Sequence, residues 1–182
     1  MSAMTRRELA QLTPLSTLEL RFLPLDFVMH WHRCGLTADY FAAHSAYTFD
    51  NRDAARAVLS TVVNELLENA VKFSSDKSLP ASLVLNHFGE WLAIETTNRT
   101  DARRAASLEV LVRDFEAAEA EALFLARIAT PSSAEGSPSG LGLLVLKKDY
   151  GVHLTIECNP LADGHFEVRV QALIHTQELE VR

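Results

Sequence analysis

An acid and an amide stand four residues apart at Glu65 and Asn69, within the apolar positions Val58, Leu59, Val62, Val63, Leu66, Leu67, Ala70 and Val71. At about 100° per residue, those apolar positions form one broad face of a helix over 54–74. Asn69 falls inside that arc, between Val58 and Val62, and Glu65 falls at its edge. The two side chains share a face and point the same way. A buried amide without a partner costs roughly 1 to 3 kcal/mol, so Asn69 is expected to have an interior partner or to line a cavity. The alternative is an amide satisfied by neighbouring backbone. As chemistry, the pair offers a carboxylate that can accept a proton and an amide oxygen of the hard kind that magnesium takes. Glu68 and Lys72, also four apart, read as an exposed ion pair on the opposite side of the helix.

The second constellation lies downstream at Ser137, Pro138, Ser139, Gly140, Leu141, Gly142 and Leu143. Two glycines permit close backbone approach, and the apolar run that follows predicts a helix over 141–150. A helix beginning at such a turn presents free amide groups and a positive dipole end to a phosphate. By itself a glycine pair before an apolar helix is more often packing and turn chemistry. The preceding residues 130–139 are small and polar, as a mobile lid would be.

Positioning these groups requires a sheet. Strands are predicted near 18–22, 81–88, 91–97, 152–158 and 165–174, and helices near 27–32, 37–47, 54–74, 101–115, 117–129 and 141–150. His87, Phe88, Gly89 and Glu90 read as one hairpin turn, and Leu161, Ala162, Asp163 and Gly164 as another. Asp101 suits the start of the helix that follows it. Strands separated by long helices give an α+β class: a two-layer sandwich of helices on a mixed, largely antiparallel sheet.

The motif Glu65-x-x-x-Asn69-Ala70 resembles the N box of the GHKL (histidine kinase-like) ATPases, and its leading acid is similar to the anti-sigma-factor serine kinase branch. Gly140-Leu141-Gly142-Leu143 before a helix and a strand is similar to the G2 box of that family. The resemblance covers roughly 54–174 and implies the Bergerat fold, with ATP and magnesium as cofactors. Carried over by residue, Glu65 becomes the catalytic base and Asn69 the magnesium ligand. Asn69, Lys72, Asn98, Gly140, Leu141 and Gly142 become the nucleotide-binding set. One motif departs: the family ends a strand in Asp-x-Gly-x-Gly, and here the strand ends Asn98-Arg99-Thr100-Asp101-Ala102 without glycine. Asn98 can still hydrogen-bond a base edge, with less room for the base. The G1 box is degenerate.

The segment 1–50 reads as an N-terminal extension packed on the core or forming a subunit contact in a homodimer, with Trp31, Tyr40 and Phe41 as anchors. A core ATPase-like domain would follow over 51–176, with a tail over 177–182. His30, His32, Cys34 and His44 invite a zinc site, but on a helix residues two apart point to different sides. With 182 residues, 48% of them hydrophobic, the chain can bury one substantial core. Its net charge of -7 argues against nucleic acid as a partner. No run approaches a membrane span, no signal-peptide core stands at the start, and two separated cysteines suit a reduced, cytoplasmic setting. Two functions fit. One is a bacterial signalling regulator of the anti-sigma-factor/serine kinase type, binding ATP-Mg and acting on a small protein such as an anti-sigma-factor antagonist. The other is a nucleotide-independent binding module of the same fold that sequesters a partner.

Overall fold

The computed structural model describes residues 6–9, 11–117, 119–129 and 141–180. In chain order the elements are α1 (Arg6–Leu9), β1 (Ser16–Phe22), α2 (Pro24–Met29), α3 (His32–Ala46), α4 (Arg52–Phe73), β2 (Ala81–His87) and β3 (Trp91–Thr100). They are followed by α5 (Ala102–Ala117), α6 (Ala120–Ala129), α7 (Leu141–Tyr150), β4 (His153–Pro160), β5 (Phe166–His175) and α8 (Gln177–Glu180). The five strands form one sheet in the order β1-β2-β3-β5-β4, with every ladder antiparallel. The longer helices cover one face, while Leu9 of α1 packs against Trp91, Ala93 and Leu173 on the other, so the chain is an α+β two-layer sandwich with a short helix behind the sheet.

Strand periodicity decides which residues meet those helices. Along β3, Leu92, Ile94, Thr96, Asn98 and Thr100 are buried on the helix side, while Glu95, Thr97 and Arg99 alternate to the other face. The central helix α4 lies over β3 and buries Val58, Leu59, Val62, Val63, Leu66, Leu67 and Ala70. Full burial of each leucine contributes about 1.5 to 3 kcal/mol. One hydrophobic cluster runs from Phe22 through Leu179, so β1, α2 and α3 share the core of the later elements. The hairpin turns fall where the sequence predicts them, with Gly89 at φ 82° and Gly164 at φ 80°, a backbone region that favours glycine.

The helical segments differ from the predicted ones at α1 and α8, short helices where the sequence reading places none, and in the N-terminal layer. The helix predicted over 27–32 ends at Met29, because His30 leaves the helical region at φ -137°, ψ 68°. A new helix, α3, then begins at His32 and runs through Gly35, where the sequence places a break. Cys34, Ala38, Phe41, Ala42 and Ser45 bury one face of α3 from its first turn. That packing outweighs the roughly 1 kcal/mol that an interior glycine costs. His30 and His32 stand edge-on with ring centroids 6.2 Å apart, and Cys34 is buried. Among the described residues no three His, Cys, Asp or Glu side chains cluster closely enough to hold a metal. None of the described helices is long and apolar enough to cross a membrane.

Candidate functional site

The helix α4 that carries Glu65 and Asn69 is fixed at both ends. Asn51 caps its start by accepting a hydrogen bond from the Ala54 amide at 3.3 Å. Its last turn is closed by Lys77, whose ammonium donates to the carbonyls of Lys72 at 3.2 Å and Ser74 at 2.6 Å, and to that of Val71. Desolvation pushes the Lys77 ammonium below its ordinary value, and the nearby Arg104 adds to this. Thr100, buried at the end of β3, donates to the Phe73 carbonyl at 2.7 Å and ties the sheet to the same helix end.

Glu65 is half-buried, and its carboxylate lies against Gly142 in the first turn of α7. A Cβ at position 142 would stand 2.7 Å from the Glu65 Cδ and would collide with Oε2. Here the glycine makes room for the Glu65 carboxylate; no special backbone conformation is involved. The contact joins the two constellations that are far apart in sequence. Burial raises the Glu65 carboxyl above its usual value, Glu68 raises it further by repulsion, and Lys72 opposes them. Among the described residues no donor satisfies that carboxylate.

Asn69 is also half-buried, and its Nδ2 donates to the backbone oxygen of Glu65, one turn back, at 2.7 Å. The donor half of the amide is thus satisfied by backbone, the alternative raised by the sequence. The oxygen half has no donor among the described residues. Lys72 is paired with Glu68 at 2.8 Å, and Glu68 also accepts from Asn64 at 3.0 Å. The pair forms as predicted, but its placement needs correction: it is not on the far side of α4. Seven residues from Glu65 to Lys72 fall only about 20° short of two full turns, which puts both on one flank. The Lys72 ammonium stands 5.5 Å over the Trp31 ring. Beneath that pair, burial pushes the Cys34 thiol up to about 11, with Glu68 adding to the shift and Lys72 opposing it.

At the end of β3, Asn98 is only 2% exposed, and its Nδ2 finds no acceptor among the described residues. Thr96, fully buried two residues earlier on the same face, likewise has no hydroxyl partner among the described residues. Orphaned polar atoms at such depth are rare in folded proteins. Asp101 is the helix-start residue the sequence predicts: its Oδ1 accepts from the Arg104 amide at 2.8 Å, and Oδ2 pairs with the Arg104 guanidinium at 3.0 Å. Those bonds hold the Asp101 carboxyl below its usual value. Leu141 and Gly142 open α7, while Gly140 and the lid expected over 131–139 lie outside the described residues. Sequence reasoning missed Lys77 and the influence of Glu68 on Glu65. A basic residue just past a helix end was a readable signal for the first.

No protein-family model matches the chain, and no curated protein sequence matches it. Among solved structures, a chain in the crystal structure of the SiaB-SiaC complex from Pseudomonas aeruginosa is similar to it. The TM-score is 0.58 at 15% sequence identity, covering 93% of this chain and 95% of that one. At that identity the likeness speaks to architecture: this chain has the fold of that complex component over nearly its whole length.

Proposed function

We propose that this chain is a signalling regulator of the anti-sigma-factor/serine kinase type that binds ATP with magnesium and acts on a small protein partner. The observation that carries the reading is the Glu65–Gly142 contact, which joins an N-box-like acid to a G2-like glycine through the fold alone. Asn69 and Asn98 fit the cofactor: Asn69 has an amide oxygen without a donor among the described residues, and Asn98 has a buried amide without an acceptor. Asn69 would hold the magnesium, and Asn98 would read the base edge. Bound ATP and its metal would supply the transferable phosphoryl group and neutralise its charge. Glu65, made more basic by burial and by Glu68, would accept the proton of a serine or threonine hydroxyl on the partner. Lys72, on the same flank, would add positive charge beside the site. The similarity to a component of a two-protein complex supports a protein as the object of the activity.

A second reading is favoured by the end of β3, where a buried Thr100, and Ala102 after it, stand in place of the glycines that admit a base. On that reading the chain binds its partner without nucleotide. Calorimetric titration with Mg-ATP, followed by phosphate transfer to proteins encoded beside its gene, separates the two. The kinase reading expects binding heat that Asn69→Ala removes while the circular dichroism spectrum stays unchanged. It also expects transfer that Glu65→Gln slows more than it weakens binding. Partner binding without nucleotide heat or transfer would establish the second reading instead.

A further inference from the structure

Among the described residues β1 ends the sheet and pairs on one side only, with β2. Edge strands are normally guarded by proline, bulges or charged side chains, because their free backbone groups recruit other strands. Here Ser16–Phe22 holds no proline or glycine, and its two charges, Glu19 and Arg21, are of opposite sign. Both are exposed on the face away from the helices, while Leu18 and Leu20 pack at the rim of the core on the other face. We propose that β1 is a self-association edge: two copies of this chain pair β1 with β1, antiparallel about a two-fold axis at Leu20, into one continuous sheet.

The strand's own pattern selects that register. With the axis at Leu20, Glu19 stands opposite the partner's Arg21 twice, Leu18 stands opposite the partner's Phe22 twice, and Leu20 meets its own copy. Both faces are then complementary. An axis between residues would set leucine against a charged side chain, since a one-residue slip exchanges the faces. An axis at Glu19 or at Arg21 would set like charges against each other. The helix layer supplies apolar surface on the same flank. α7 and α8 contact α4 together with β4 and β5, whereas α3 contacts α4 and α2. Phe49, just beyond α3, touches the ring of His87, whose strand partner is Ser16 of β1. Leu36 and Tyr40 of α3, and Tyr47 just past its end, are 63%, 61% and 72% exposed, and helical spacing sets them opposite the buried face of α3. An apolar stripe of this kind on a monomer is a mark of association.

Charge reversal on the intact chain tests the register. Arg21→Glu gives a strand with two acids, and Glu19→Arg gives one with two bases. Both side chains are solvent-facing, so the fold is retained, and circular dichroism checks this. Sedimentation velocity is expected to show a parent dimer whose dissociation constant rises about tenfold or more in either variant alone. An equal mixture of the two variants should recover a dimer, because each acid then meets a base. The Glu19–Arg21 pair within one chain, 2.8 Å long, stays broken in that mixture, so recovery can come only from contact between chains. A parent chain that is monomeric throughout the micromolar range would overturn the proposal. Variants that dimerise like the parent, or a mixture that recovers nothing, would do so equally.

Discussion

Placing an alanine at position 142 probes the one contact that links the two motifs. The added methyl would collide with the end of the Glu65 side chain, and the next nearest atoms are that side chain's own Cδ at 2.7 Å and Cγ at 3.5 Å. No backbone atom stands among them, so the flexible side chain moves rather than the helix. Turning Glu65 off its preferred rotamer costs about 0.5 to 1.5 kcal/mol. Alanine in place of a helical glycine returns up to about 1 kcal/mol, less so near a helix start. Gly142→Ala should therefore change stability by no more than about 1 kcal/mol, in either direction. In a Glu65→Ala background nothing is displaced, and the same substitution should stabilise by about 0.5 to 1 kcal/mol. The coupling across the double-mutant cycle is then on the order of 1 kcal/mol, measurable by urea denaturation. Carbon-detected NMR of the Glu65 carboxyl supplies a second readout. Displaced toward water, its titration should fall back toward the ordinary glutamate range. Equal effects of Gly142→Ala in both backgrounds, with an unmoved Glu65 titration, would refute the contact and the site built on it.

Three further substitutions bear on the same region. Because the Glu65 carboxyl is raised in the folded state, stability is greatest below the unfolded carboxyl value and declines as pH rises through the raised folded value. Glu65→Gln, which mimics the protonated form, should match the parent at acidic pH and exceed it at pH 7 by up to about 1 kcal/mol, in denaturation at a series of pH values. Lys77→Met keeps the aliphatic stem but removes the amine from three carbonyls; it should cost about 1.5 to 3 kcal/mol and speed amide exchange in the last turn of α4. Asn98→Val removes a buried amide whose Nδ2 has no acceptor among the described residues; it should stabilise the chain by about 1 to 3 kcal/mol in thermal and urea melts while weakening any nucleotide heat.

The elements legible in the sequence are those whose signals are local. The apolar spacing from Val58 to Val71 repeats with the helix, so α4 is readable residue by residue, and a two-residue alternation gives β3 its two faces. Gly89 and Gly164 mark hairpin turns because few other residues adopt their backbone angles. Asp101 marks a helix start because its short carboxylate reaches the amide three residues on. All of these depend on atoms within a few residues of each other. Only the tertiary structure decided what those elements bring together. Gly142 lies against a carboxylate from another helix, a contact that no residue near it in the sequence expresses. The continuity of α3 through Gly35 comes from burial against α4, which overrides a local preference worth less than the packing. Asn98 is an ordinary polar residue at a strand end until the helices close over its face and leave Nδ2 without an acceptor. Periodicity states which way a side chain points along its own element; what it meets there depends on distances between elements, and those are set only when the core packs.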